Sequence, residues 1–116
     1  MARKHSGRRI FSYDEALSTF PLVRDLTAAA VRQIDALSAS LGGGEADSRR
    51  DKLEEARERI VRAWEREIAA IGCEVKGVWL VDWDSGDGYY CWRFPEQAIA
   101  FFHTYDEGFD GRIPIN

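Results

Sequence analysis

The sequence lacks most of the features that mark secreted, membrane-spanning or metal-clustered proteins. It has two cysteines, Cys73 and Cys91, which form no C-x-x-C pair and no spacing typical of a zinc site or a disulfide framework. It also has no uninterrupted run of about 18 apolar residues that could cross a membrane, and no apolar segment follows the basic N-terminal residues as a secretory signal requires. We therefore predict a cytoplasmic protein in which both cysteines are buried free thiols.

Residues that would carry catalysis or bind a metal are also scarce. The glycine cluster at residues 42–44 lacks the Lys-Ser/Thr that follows a phosphate-binding loop. His103 lies near Asp106 and Glu107, but one histidine with two neighbouring acids makes at most a weak metal site. Cys91 with His103 is a conceivable nucleophile and base, yet no activating signature accompanies the cysteine. The sequence favours a non-catalytic protein with no cofactor and no metal.

Positive charge is concentrated at one end of the chain. There are 16 basic and 20 acidic residues, for a net charge of −4, and the first nine positions carry basic residues and no acid. The acidic remainder would repel a phosphate backbone or an anionic lipid surface, which argues against nucleic-acid and membrane partners. A length of 116 residues fits one domain. We predict a flexible basic arm over residues 1–9 and a single α+β domain over residues 10–116.

Two patterns mark the beginning of the first helix. Ser12 and Glu15 have the spacing of a capping box, which predicts that the helix starts at Tyr13. Pro21 predicts either a kink or the first residue of a new helical segment, because proline cannot donate a backbone N–H. Apolar residues then recur at steps of three and four along one face.

A second helix follows the glycine cluster at residues 42–44, which ends the first one. Asp47 or Ser48 can cap it, and its apolar face continues to Ile71. Gly72 is the predicted stop. The two helices therefore form a long antiparallel helical hairpin.

After the second helix, the spacing of apolar residues changes from the helical period to the pattern typical of strands. Residues 78–83 and 89–94 are β-branched and aromatic, and the turn residues 84–88 join them into a β-hairpin. Residues 98–103 are predicted as a third strand, although a short helix opened by Pro95 is the alternative. We predict a small three-stranded antiparallel sheet.

The last residues, 108–115, have the composition of a glycine-rich C-terminal loop. They contain apolar side chains that need cover. This loop is therefore one element that is free to pack on the sheet.

Short motifs along the chain carry a resemblance to a known family. These are Phe11-Ser12-x-x-Glu15-Ala16, Pro21-Leu22-Val23, Gly72-Cys73-Glu74-Val75-Lys76, Cys91-Trp92-Arg93, Ile99 to His103, and Asp106-Glu107-Gly108-Phe109-x-Gly111-Arg112-x-Pro114-Ile115. From Phe11 onward the chain resembles a bacterial family catalogued as domain of unknown function 2203. The resemblance implies the fold and its boundaries, and it implies no activity and no ligand.

The alternation of side chains along the strands predicts that both faces of the sheet are heavily apolar. One helical hairpin covers only one face. The second face must meet the C-terminal loop, a second subunit or a ligand.

The candidate ligand-binding residues lie on this second face and in the loop. They are Tyr89, Cys91, Arg93, Phe101, His103, Glu107 and Arg112. Two arginines and an imidazole would suit a small anionic ligand, because each guanidinium offers a planar fork of donors. The alternative interpretation is structural: Arg93 pairs with Asp82 or Glu107, and Arg112 pins the tail.

We therefore predict a non-catalytic binding or assembly module that forms a homodimer. The alternative is a small anionic-ligand binder or enzyme with a pocket built from Arg93, His103, Glu107 and Arg112.

Overall fold

Two long helices are followed by a five-stranded sheet in the computed structural model, which describes residues 9–40 and 46–115 and only the backbone of residues 46 and 47. The elements are α1 (Tyr13–Ser40), α2 (Ala46–Ile71), β1 (Glu74–Gly77), β2 (Leu80–Asp84), β3 (Tyr89–Arg93), β4 (Phe101–His103), a 3₁₀ helix (Phe109–Gly111) and β5 (Ile113–Pro114). All neighbouring strands are antiparallel, and their order in the sheet is the order in the chain. The predicted α+β class is confirmed, and the predicted number of three strands is wrong.

Helix α1 begins where the capping box predicts. The backbone N–H of Ser12 donates to Glu15 Oε1 at 2.9 Å, and the N–H of Glu15 donates to Ser12 Oγ at 3.1 Å. The helix continues through Pro21 as one element, so no new helix starts there. Leu17 and Pro21 are both exposed, which lets water hydrate the Leu17 carbonyl that has lost its donor.

Helix α2 ends at the predicted glycine. Gly72 has a φ of +105°, a left-handed conformation that a side chain would strain, and its N–H donates to the carbonyl of Ala69 at 2.9 Å. Residues 42–44, which were predicted to end α1, lie outside the described residues. The predicted arm over residues 1–9 also lies outside them except for Arg9, whose guanidinium lies 4.3 Å from the ring centre of Phe11.

The helices cover one face of the sheet with an aromatic core. Phe20 of α1 lies between Trp83 and Trp92, with ring centres 6.4 and 5.4 Å away. Trp64 of α2 packs edge-on against Trp79 at 4.9 Å. Aromatic rings from both helices and from the sheet therefore form the core on this face.

Strand β1 was missed because its turn resembles a strand. Val78 and Trp79, which the sequence pattern assigns to a strand, form the turn between β1 and β2, and Trp79 has a φ of +66°. The contact of Trp79 with Trp64 favours this unusual conformation. The two turn residues are apolar and have strand propensity, which outweighs the turn signal of Gly77 directly before them.

The C-terminal region also differs from the prediction. The expected loop contains the 3₁₀ helix and β5, which pairs with β4 through Phe102 and Ile113. Within residues 98–103 only Phe101–His103 is a strand, and no helix begins at Pro95. The backbone N–H of Ile115 donates to the carbonyl of Ala100 at 2.9 Å, which ties the end of the chain to the sheet.

Candidate functional site

The second face of the sheet is polar at its centre, so the prediction of two apolar faces is wrong. Strand register places Asp82 between Glu74 on β1 and Cys91 on β3, and places Tyr89 beside His103 on β4. Asp82 is 0% and His103 is 3% exposed. Burial of such groups is costly unless they are paired, which makes this cluster the most informative feature of the face.

Asp82 forms the centre of the cluster. Its Oδ2 lies 2.8 Å from His103 Nε2 and 3.1 Å from Lys76 Nζ. Lys76 also lies 3.6 Å from Glu74 Oε1. Burial lowers the pKa of Lys76, but the charge of Asp82 and its hydrogen bond more than offset this, so the pKa is raised.

The position of protons in the His103 ring follows from its two partners. Nδ1 lies 2.9 Å from the Thr104 carbonyl oxygen, which can only accept, so Nδ1 carries a proton. Nε2 and Asp82 Oδ2 must then share a second proton across 2.8 Å. Lys76 Nζ donates to the same carboxylate oxygen at 3.1 Å, so Asp82 Oδ2 has two partners.

Cys91 completes the buried group. One ligand atom each from Asp82, Cys91 and His103 lies within 4.8 Å of the others. Burial raises the pKa of the Cys91 thiol to about 12, and the charge of Asp82 and its hydrogen bond with the thiol act in the same direction. The thiol is therefore protonated at neutral pH and is a poor nucleophile.

A layer of aromatic residues surrounds this group. Lys76 Nζ lies 3.5 Å from the ring centre of Tyr89, whose hydroxyl donates to Glu74 Oε1 at 3.1 Å. The hydroxyl of Tyr105 donates to Asp84 Oδ1 at 2.6 Å. Burial, followed by the hydrogen bond to Asp84, raises the pKa of Tyr105 to about 12.

Arg93 lies apart from the buried cluster, whereas Arg112 reaches its edge through a side-chain hydrogen bond with Cys91. Arg112 pairs with Glu96 at 2.9 Å, and its guanidinium lies 4.1 Å from the ring centre of Phe101 and 3.9 Å from that of Phe109. Arg93 is exposed, and its guanidinium lies 5.5 Å from the Phe109 ring centre. Arg112 thus pins the C-terminal segment to the sheet, with Glu96 as its partner.

A cleft of about 330 Å³ opens over the cluster. It is lined by Lys76, Leu80, Asp82, His103, Glu107, Gly108 and Phe109. Asp82 and His103 form its buried floor, while Leu80 and Phe109 supply apolar walls. The cleft therefore combines a small volume with polar groups on one side.

A slightly larger cleft of about 360 Å³ lies on the helix side, beside Trp92 and Pro95. Its charged residues Arg24 and Asp25 are exposed and pair with each other at 3.0 Å. This cleft has an ordinary solvated rim, in contrast to the buried charges under the other one.

The structure brings together some of the predicted site residues and separates others. Tyr89, Cys91 and His103 lie at or beside the cluster, and Glu107 lines the cleft above it. Phe101 and the two arginines belong to the stack around Phe109. Asp82 pairs with His103 and Lys76, so the alternative in which Asp82 is the partner of Arg93 is wrong.

Sequence reasoning missed Asp82, Lys76 and Glu74 as members of the site. One signal was present, because Asp82 is an acid that interrupts an otherwise apolar strand. Lys76 and Glu74 gave no signal, since β1 itself was not predicted.

Comparison with known families agrees with the resemblance noted in the sequence. The model of a family described as "Uncharacterized conserved protein (DUF2203)" matches residues 9–115. The chain belongs to this family of proteins of unknown function. No match was found among curated proteins or among solved structures.

Neither α1 nor α2 contains a stretch apolar enough to cross a bilayer. The predicted cytoplasmic location and the boundary of the domain at residue 10 stay predictions.

Proposed function

We propose that this protein is a non-catalytic binding module whose ligand site is the cleft over Asp82 and His103, and that its ligand is small and cationic. The observation that carries this proposal is the buried carboxylate of Asp82 and imidazole of His103 at the floor of the cleft, with the buried Cys91 thiol beside them. Ligand sites are concave, with apolar walls and a few convergent polar groups. A volume of about 330 Å³ is at the small end of such sites.

The balance of charge around the cleft favours a cation. Acidic side chains come from Glu74, Asp82 and Asp84 on β1 and β2, and from Glu107 above them. The described cations beside these acids are Lys76 and Arg112, and Arg112 is already paired with Glu96. Acids therefore outnumber cations, and the resulting potential attracts positive charge.

The same geometry argues against nucleophilic catalysis. His103 Nε2 is directed to Asp82 at 2.8 Å, so the ring is not placed to take the proton of Cys91. The pKa of that thiol is raised to about 12, chiefly by burial, whereas a nucleophilic cysteine has a lowered pKa.

The anionic ligand predicted from the sequence has weaker support. That prediction depends on Arg93 and Arg112, and the charge of Arg112 is already paired with Glu96. In the cleft itself the candidate cation is Lys76, which lies between Asp82 and Glu74. An anion would have to compete with both carboxylates.

Two probes that share a phenyl ring and differ in charge test the proposal. Benzylammonium and benzoate are titrated into the ¹⁵N-labelled full chain, and amide shifts are followed by NMR. We expect benzylammonium to shift the amides of Lys76, Leu80 and Gly108. Larger cleft shifts with benzoate would support the anionic ligand and contradict the cationic one. Cleft amides that move with neither probe would overturn the binding function.

A cleft-filling variant provides the control. A Cβ at Gly108 would meet nothing within 4 Å, so the backbone accepts a side chain there without a clash. Gly108→Trp should keep the fold and abolish the benzylammonium shifts. Persistence of these shifts in the variant would place the binding elsewhere.

We also propose homodimer formation through the far end of the helical hairpin. Buried residues extend only to Ala30 on α1 and begin at Ala56 on α2. Beyond them the apolar residues Ile34, Leu37 and Leu53 remain half-buried. A second copy would cover them in an isologous contact.

Sedimentation velocity at low micromolar concentrations tests the dimer. We expect a dimer for the native chain and a monomer for Leu37→Glu, with the neighbouring exposed substitution Ser38→Glu as the matched control. A native chain that stays monomeric with an intact fold would contradict the dimer and leave the cleft proposal unaffected.

A further inference from the structure

We propose that the floor of the cleft is a binding site for a divalent transition metal ion of the zinc class, with Asp82, Cys91 and His103 as the protein ligands. This inference rests on the proposed function, because it names the cation that the cleft binds. It is carried by the three donor atoms, which lie within 4.8 Å of one another in a buried position.

The donor set fits this class of metal. Thiolate and imidazole ligands select zinc and its neighbours over magnesium and calcium, which prefer oxygen ligands alone. Three protein ligands would leave one position of a tetrahedral site open for a further ligand, and two of the three, Asp82 and His103, line the cleft. A zinc ion with ligand bonds of about 2.0–2.3 Å requires its donor atoms to be roughly 3.3–3.8 Å apart. Side-chain movements of about 1 Å would bring the present atoms to that spacing.

His103 is already oriented as a metal ligand. Nδ1–H donates to the Thr104 carbonyl oxygen at 2.9 Å, which fixes the ring and leaves Nε2 as the coordinating nitrogen. A metal-bound histidine usually makes such a second hydrogen bond to a carbonyl or carboxylate. Nε2 faces Asp82 at 2.8 Å, so a metal would replace the proton that now lies between them.

Asp82 offers an oxygen that needs a cationic partner. Oδ2 accepts from His103 and Lys76, whereas the buried Oδ1 has no N–H or O–H donor among the described residues. A buried carboxylate oxygen in this state is costly. The Lys76 ammonium can move toward Glu74, 3.6 Å away, when a metal takes its place.

Cys91 would bind the metal as a thiolate, so its thiol proton would leave for solvent when the ion enters.

Cobalt(II) is the probe for the test, since it replaces zinc and reports its ligands by absorption. The full chain is treated with a chelator and titrated with Co²⁺ under reducing conditions. We expect one equivalent to bind, with a thiolate-to-cobalt charge-transfer band and the intense visible bands of a tetrahedral site. Cys91→Ser should remove the charge-transfer band and weaken binding at least tenfold.

Cys73→Ser is the matched control, because Cys73 is the other buried free cysteine and does not belong to the cluster. This variant should bind Co²⁺ like the native chain. A native chain without the charge-transfer band, or a band lost in Cys73→Ser and kept in Cys91→Ser, would overturn the metal site.

A second measurement covers the case in which Cys91→Ser does not fold. In the native chain, Zn²⁺ should shift the Nε2 resonance of His103 while Nδ1 stays protonated, as seen in long-range ¹H–¹⁵N spectra. An unchanged Nε2 resonance at saturating Zn²⁺ would contradict the proposal. If benzylammonium still shifts the cleft amides but no metal binds, the metal proposal is wrong and the proposal of a cleft that binds a small cation stands.

Discussion

The two faces of this sheet are buried by different means. The helix-covered face is an aromatic core in which the polar side chains form neutral hydrogen bonds, such as Trp83 Nε1 to Thr19 Oγ1 and Trp64 Nε1 to Thr27 Oγ1, each at 2.8 Å. The other face buries charged groups around Asp82 beneath a short C-terminal segment. The first arrangement stabilises the fold, whereas the second costs desolvation that the fold alone does not require.

The covers of the two faces differ as well. Two helices of 28 and 26 residues lie on the aromatic side. On the polar side, Glu107, Gly108 and Phe109 at the start of a three-residue 3₁₀ helix line a cleft that stays open. Buried charged side chains under a short covering segment are the arrangement expected where a ligand enters.

The largest expected effect comes from the aromatic face. Trp83 is 0% exposed, and Trp83→Ala should lower the free energy of unfolding by about 3–5 kcal/mol because of lost burial and the cavity. Urea unfolding followed by circular dichroism measures this. Leu22→Ala, at a helical side chain that is 53% exposed, should change it by less than about 0.5 kcal/mol. Similar losses in both variants would show that the helices do not form the core.

The next effect comes from the centre of the polar face. Asp82→Asn keeps the shape of the side chain and removes the charge that faces His103 and Lys76. We expect a loss of about 2–3 kcal/mol at pH 7, as for hydrogen bonds to charged groups. Asp87→Asn, at an exposed acid in the following turn, is the control and should be neutral. A stabilised Asp82→Asn chain would mean that desolvation outweighs the pairing of this carboxylate.

The two cysteines allow the two faces to be compared through the pH dependence of the free energy of unfolding. Cys73 belongs to the aromatic core, and Cys91 to the polar cluster, yet both pKa values are raised from 9.0 to about 12, chiefly by burial. The folded chain therefore keeps thiol protons that the unfolded chain loses above pH 9. The stabilisation is complete below that pH and is lost as the pH rises toward 12, by about 1.4 kcal/mol per pH unit for each thiol.

Unfolding curves at several alkaline pH values check this slope. Cys73→Ser and Cys91→Ser should each flatten it by the share of one thiol, since serine does not titrate there. A variant that leaves the slope unchanged would mean that its thiol ionises in the folded chain as readily as in the unfolded one.

Local signals in the sequence predicted the aromatic half of the molecule well. The start of α1 depends on Ser12 and Glu15, which are three residues apart, and the end of α2 depends on Gly72 alone. The alternation of side chains in β3 also separated Trp92 from Cys91 correctly. These features need only neighbouring residues, so a single sequence contains them.

The polar cluster could be predicted only in part, because it depends on long-range register. Cys91 and His103 were assigned to the right face, but the partner of His103 is Asp82, 21 residues away on a strand that it does not pair with directly. Lys76 was not predicted as a member of the cluster because it lies on β1, and the apolar turn at Val78 and Trp79 has the sequence pattern of a strand. No local pattern fixes which side chains meet across three strands.

The smallest expected effect concerns the rim of the polar face. The Lys76 side chain is 34% exposed, so solvent screens its pairing with Asp82. Lys76→Met, which keeps the apolar stem, should cost less than about 1 kcal/mol, and the loss should shrink at high salt. Urea unfolding at two salt concentrations measures it, with the exposed Lys52→Met as the control. A loss as large as that of Asp82→Asn would contradict the distinction between the buried Asp82–His103 pair and the partly exposed Lys76. It would mean that His103 alone does not hold Asp82 in place.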